Sequence, residues 1–107
     1  EIDGAGESNS NAERLLEAAH QNVLEYIYCK HDGSLEDGIE IVPHPMSPMF
    51  HQHEMPWQTI LDKATRLGYT SHQSGTCGLH VHVNRTAFGD TEAEQDEVIA
   101  RILYFFE

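Results

Sequence analysis

The ten residues from Thr76 to Arg85, TCGLHVHVNR, constrain the fold more than any other part of the chain. They place two histidines two positions apart inside an apolar, β-branched run. On a strand successive side chains alternate faces, so His80 and His82 share one face while Leu79, Val81 and Val83 share the other. The spacing therefore predicts a core strand over Cys77–Asn84 with a paired imidazole face. Imidazole binds divalent metals and near neutral pH donates hydrogen bonds to phosphate oxygens, and the residues leave both roles open.

Carboxylates recur with the same period elsewhere. His31 to Val42, HDGSLEDGIEIV, reads as strand, tight polar turn and strand, with Gly33 and Gly38 supplying turn conformations. Glu40 then alternates with Ile39 and Ile41. At the amino end Glu1-Ile2-Asp3 alternates again, leaving two acids on one face before the Gly4-Ala5-Gly6 break. A hard cation such as Mg²⁺ takes oxygen ligands, typically one or two carboxylates plus water and substrate phosphates. Three such strands lying side by side would meet that need. Taken singly, each acid also has a plainer reading: Glu40 as the wet face of a half-buried strand, Asp32 as an ordinary Asp-Gly turn residue.

The helices are read from three- and four-residue spacing. Behind the caps offered by Ser8-Asn9-Ser10-Asn11, the positions Ala12, Leu15, Leu16, Ala19, Val23 and Leu24 form one apolar stripe. Tyr26 to Lys30 reads as a strand. Pro43, Pro45 and Pro48 end regular pairing, so the stretch to Pro56 is expected to be loop or lid. Trp57, Ile60, Leu61, Ala64 and Leu67 mark a second helix stopped by Gly68. Thr91 to Glu94 resembles a capping box that opens a third helix through Val98, Ile99, Ile102 and Leu103. Helices and strands alternate while the hairpin is antiparallel, which points to an α+β arrangement in one domain over residues 1–107. Trp57 and the terminal aromatic run read as core, or the latter as an interface exposed by truncation.

Composition narrows the partners. Eighteen acids against six basic residues give a formal net charge of −12, a surface that repels nucleic-acid phosphates and anionic lipid. The expectation is no nucleic acid and no membrane, and, without an apolar run of spanning length or a signal-peptide pattern, a soluble cytoplasmic location. Cys29 and Cys77 are the only cysteines, and the sequence leaves their pairing open. A further His-x-His, His51 and His53 with His44 upstream and Glu54 adjacent, falls in the proline-rich stretch and reads as a polar loop; zinc is the competing thought, without zinc-finger spacing. Cys77 as a hydrolase nucleophile is disfavoured, since a residue three positions from His80 on one strand faces away from it.

The blocks KHDGSL (Lys30–Leu35), GIEIV (Gly38–Val42), HPM (His44–Met46) and TCGLHVHV (Thr76–Val83) resemble, in order and spacing, the amidoligase family of phages and bacteria. That family sits in the glutamine synthetase-like carboxylate–amine ligase superfamily. The resemblance spans nearly the whole chain. It implies a partial domain built on a glutamine synthetase-like antiparallel sheet with helices packed on one face, and ATP-dependent amide formation through an acyl phosphate. It implies ATP and Mg²⁺ or Mn²⁺ as cofactors, and small-molecule or peptide carboxylates and amines as substrates. Position by position, Glu1 and Asp3 match the acidic first strand, Glu40 the acid after the hairpin, Asp32 the Asp-Gly-Ser block near substrate, and His80 and His82 the His-x-His. Metal ligation then falls to Glu1, Asp3, Glu40 and His80, catalysis to Asp32, Glu40 and His80, and nucleotide or phosphate contact to His80 and His82. Two other classes stay open: an inert metal-binding or interaction module on the same sheet, and a metal-dependent hydrolase.

Overall fold

Alternation of side chains along the strands fixes which face of the protein is buried. The structure, a computed structural model, describes residues 1–20 and 25–107. Its elements are α1 (Asn9–Ala19), β1 (Ile27–Lys30), β2 (Glu40–Pro43), α2 (Pro48–His53), α3 (Trp57–Arg66), a 3-10 turn (Arg85–Phe88) and α4 (Glu92–Phe106). The arrangement is mixed α+β. β1 and β2 are antiparallel neighbours, with Lys30 opposite Glu40, Cys29 opposite Ile41, Tyr28 opposite Val42 and Ile27 opposite Pro43. Single bridges extend this ribbon: Ile2 pairs with Ile39, and Asp3 pairs with Thr70 on its other side. The amino-terminal residues thus lie between β2 and the Thr70 segment.

Ile2, Ile27, Ile39 and the half-buried Cys29 and Ile41 turn toward the helices. There Ile2 and Ile39 pack with Leu15 of α1, Ala64 of α3 and Tyr69. A second cluster joins Ala19, Ile27, Met55 and Ile60, and Ile41 touches both. By the same alternation Glu1, Lys30 and Glu40 fall on the face the helices leave open. Helix ends follow local chemistry. The Ser8 hydroxyl accepts from the Asn11 N–H at 3.2 Å. Gly68, at φ 98°, ends α3 where any side chain would be strained. Thr91 caps α4 by accepting from the Glu94 N–H at 3.3 Å, whereas the Glu94 carboxylate reaches back to the Asp90 N–H rather than to Thr91. The positions Val23 and Leu24 of the first stripe lie outside the described residues.

Three expectations are corrected. Residues 77–84 form no strand: from Leu79 to Val83 no main-chain group is hydrogen-bonded among the described residues, and Leu79 is 93 % exposed. β-branched composition suits a pleated, half-buried surface, but a ladder also needs a neighbour, and none lies along these residues. The stretch before Pro56 is not all loop, because Pro48 opens α2 behind Ser47, whose hydroxyl accepts from the Phe50 N–H at 3.1 Å. Proline breaks a ladder yet is favoured at the first position of a helix. Gly33 lies as expected in the Asp32–Leu35 turn, which the Leu35 N–H closes on the Asp32 carbonyl at 3.1 Å, but Gly38 supplies no turn. Gly38 is instead buried where the chain passes against the backbone of Ile2 and Asp3.

Candidate functional site

Strand pairing brings three carboxylates from distant parts of the chain to one place on the open face. Oxygens of Glu1, Asp32 and Glu40 all lie within 4.8 Å of one another. Glu1 enters through the Ile2–Ile39 bridge, Glu40 begins β2, and Asp32 follows β1 in the connecting turn. The Glu1 side chain is only 5 % exposed; one of its oxygens accepts from the Gly78 N–H and the other lies 3.2 Å from the His80 Nε2. His80 itself is 56 % exposed. Asp32 Oδ1 accepts from both the N–H and the hydroxyl of Ser34, each at 2.9 Å, and these bonds hold its carboxyl below the usual range. Lys30 Nζ sits 3.2 Å from Glu40 Oε2, directly across the ladder. That contact and the charge on Glu40 hold the Lys30 ammonium above its ordinary value.

Four of the residues expected at a site are therefore together: Glu1, Asp32 and Glu40 as a group, with His80 against Glu1. Two are not. His82 is exposed and makes no hydrogen bond or ion pair among the described residues. Asp3 is buried, 4 % exposed, with both oxygens committed to the fold. Oδ1 accepts from the N–H groups of Gly4 and Asp37 at 2.9 and 2.7 Å; Oδ2 accepts from the Glu36 N–H at 3.0 Å and from the Thr76 hydroxyl. It organises the loop before β2 rather than facing the acid group. Alternation along Glu1-Ile2-Asp3 puts both acids on one side, but cannot say which of them has both its oxygens taken up by donors of the fold.

Those bonds, that of Thr76 first, lower the Asp3 pKa from 3.8 to about 2. A carboxyl depressed in the folded state adds stability that is fully present above the unfolded value, near pH 4, and is lost as pH falls toward 2. Urea unfolding of wild type and Asp3→Asn should therefore show a gap in midpoint at pH 7 that shrinks between pH 4 and pH 2. A gap as large at pH 2 as at pH 7 would contradict the assignment.

Sequence reasoning overlooked Lys30, Ser34, Thr76 and Gly78. Lys30 had a usable signal, since a lysine closing one hairpin strand and a glutamate opening the next are natural cross-strand partners. The three histidines of the proline-rich stretch are dispersed. His51 stacks on Trp57 with ring centroids 5.8 Å apart and accepts from its indole N–H at 3.3 Å; His44 lies against Tyr28. Cys29 and Cys77 are both free thiols, and burial pushes the Cys29 pKa up.

Chemically, the group offers hard oxygen donors beside an imidazole nitrogen, a set that suits Mg²⁺ or Mn²⁺ better than a soft metal. Three carboxylates face one lysine, so the site carries excess negative charge that a divalent cation would offset. Among the described residues no helix is long and apolar enough to cross a membrane. No family model matches the chain, and no curated protein and no solved structure matches it.

Proposed function

We propose that the chain carries the metal- and nucleotide-binding part of an ATP-dependent carboxylate–amine ligase on a glutamine synthetase-like sheet. The observation that carries this reading is the convergence of Glu1, Asp32 and Glu40, with His80 beside Glu1, on the face the helices leave uncovered. Those residues fit a hard divalent cation, which when bound would neutralise charge on a transferring phosphoryl group. Glu1 and Glu40 would hold it with an Asp32 oxygen in reach, and His80 would orient Glu1; Asp3, engaged with backbone, leaves the ligand set.

The remaining work falls to the chain's own groups. Asp32, kept ionised by Ser34, offers a fixed negative charge to an ammonium substrate. Lys30 steadies Glu40 across the ladder. His82, two residues past His80 and open to solvent, is free to meet nucleotide. Holding carboxylate and nucleotide in line on a fixed surface lowers the barrier by positioning and charge stabilisation.

The test is ADP release from Mg²⁺-ATP with pooled amino acids and polyamines, comparing wild type with His80→Ala. Release that needs both a carboxylate and an amine, and falls at least tenfold in the variant, is the expected result. Folded protein that binds Mn²⁺ yet releases no ADP with any pool would sink the ligase and leave an inert metal-binding module.

A further inference from the structure

The turn from Ser71 to Gly78 grips Glu1 at two points. At its start the Ser71 hydroxyl donates to the Glu1 carbonyl at 2.8 Å, and at its end the Gly78 N–H donates to the Glu1 carboxylate. Between the two grips stands the hydroxyl of Ser74, a half-buried residue. Its Oγ accepts from the Thr76 N–H at 3.2 Å and from the Cys77 N–H at 3.1 Å, while its proton goes to the Ser71 carbonyl at 2.8 Å. A serine hydroxyl has one proton and two lone pairs, so these three bonds use its whole capacity. The Thr76 hydroxyl, also 3.2 Å from Ser74 Oγ, gives its own proton to Asp3. Gly75, at φ 77°, lets the chain double back so that both N–H groups reach one oxygen.

The order of these N–H groups gives the hydroxyl its consequence. Those of Thr76 and Cys77 are taken by Ser74, and the next along the chain, that of Gly78, is the one aimed at Glu1. Downstream, the main chain from Leu79 to Val83 is unpaired among the described residues and fixes no direction. The Ser74 hydroxyl therefore joins the piece of chain that holds the Glu1 main chain to the piece that holds its carboxylate.

We propose that Ser74 is a positioning residue for the acid group: through main-chain bonds alone, its hydroxyl aims the Gly78 N–H and thereby orients the Glu1 carboxylate beside Asp32 and Glu40. The Glu1 side chain is only 5 % exposed, so an oxygen that loses the Gly78 donor has little water to replace it and turns elsewhere. Partners one layer out from a metal ligand fix its orientation, and their loss typically costs about 10–100-fold in affinity. The consequence for metal binding rests on the function proposed above; the direction of the Gly78 N–H does not.

The test compares wild type, Ser74→Ala, Ser74→Thr and Ser47→Ala by two readouts. One is Mn²⁺ affinity from electron paramagnetic resonance; the other is the Gly78 amide proton in the proton–nitrogen correlation spectrum of metal-free protein. A charge-assisted bond to a carboxylate draws an amide proton downfield. Ser74→Ala, with the circular dichroism of wild type, should bind Mn²⁺ about 10–100-fold more weakly and move the Gly78 resonance upfield. Ser74→Thr keeps the hydroxyl and should match wild type in both. Ser47→Ala removes an equivalent hydroxyl from the start of α2 and should change neither. A wild-type Gly78 proton without a downfield shift, an unmoved one in Ser74→Ala, a Ser74→Thr variant that behaves as Ser74→Ala, or an equal loss of Mn²⁺ affinity in Ser47→Ala would each overturn the proposal. If wild type binds no Mn²⁺, the metal reading of the acid group fails, and the Gly78 resonance alone decides the role of Ser74.

Discussion

Gly38→Ala should collapse the structure around the site, with a thermal midpoint lower by roughly 10–20 °C. A β-carbon at position 38 would lie 2.1 Å from the carbonyl oxygen of Ile2, 2.8 Å from Asp3 Cα and 2.8 Å from Asp3 Oδ1. Two of those atoms are backbone and cannot swing aside. Relief requires opening the reciprocal Ile2–Ile39 bonds of 3.0 and 2.9 Å and disturbing the loop that Asp3 holds. Overpacking of a site that cannot relax costs about 3 kcal/mol or more, and each kcal/mol moves the midpoint of a domain this size by roughly 4–8 °C. Gly33→Ala is the control, since nothing lies within 4 Å of its would-be β-carbon. Thermal unfolding followed by circular dichroism decides it: similar midpoints for the two variants would show that the Ile2–Gly38 contact is not the constraint described.

Under the ligase reading, Glu40→Gln should leave the fold intact and sharply reduce ADP release. Glutamine keeps the length and cross-strand position of Glu40 but not its charge. Lys30 loses a partner, yet that lysine is 53 % exposed, and solvent screens such pairs enough that the midpoint should move by no more than a few degrees. Under the ligase reading, ADP release should fall by about 10²–10³, the usual cost of removing one preorganised electrostatic group. Mn²⁺ affinity, followed by electron paramagnetic resonance, should fall with it. Unchanged turnover in a folded Glu40→Gln protein would remove this carboxylate from the chemistry, and unchanged Mn²⁺ affinity would remove it from the metal site.

Much of the acid group was legible because strand alternation is a short-range rule. Knowing that Ile39 and Ile41 turn inward is enough to put Glu40 on the other face, and the same holds for Glu1 beside Ile2. The hairpin, the second helix with its Gly68 stop and the third helix behind Thr91 follow equally from local spacing. What local rules could not give was pairing. The period-two pattern of Leu79 to Val83 describes a strand with two faces, but its state depends on a neighbour that the pattern does not name. Asp3 illustrates the other gap. Its position fixes its face, while its role depends on the N–H groups of Glu36 and Asp37, more than thirty residues away. The prolines before Pro56 forbid a sheet, but Ser47-Pro48 is also a helix start, and spacing alone does not separate the two.

The order in which the chain is made bears on the site. Glu1, Ile2 and Asp3 are synthesised well before their distant partners: Glu36 and Asp37, then Ile39, Thr70 and Thr76, with Gly78 closing on Glu1 last. These are contacts of long sequence separation, slow to form because the loop between the ends must be closed first. Until residue 78 has emerged from the ribosome, Glu1 lacks the Gly78 N–H that its carboxylate accepts from. The acid group is thus a late product of folding, and a cation that binds it would report completed topology rather than the early hairpin.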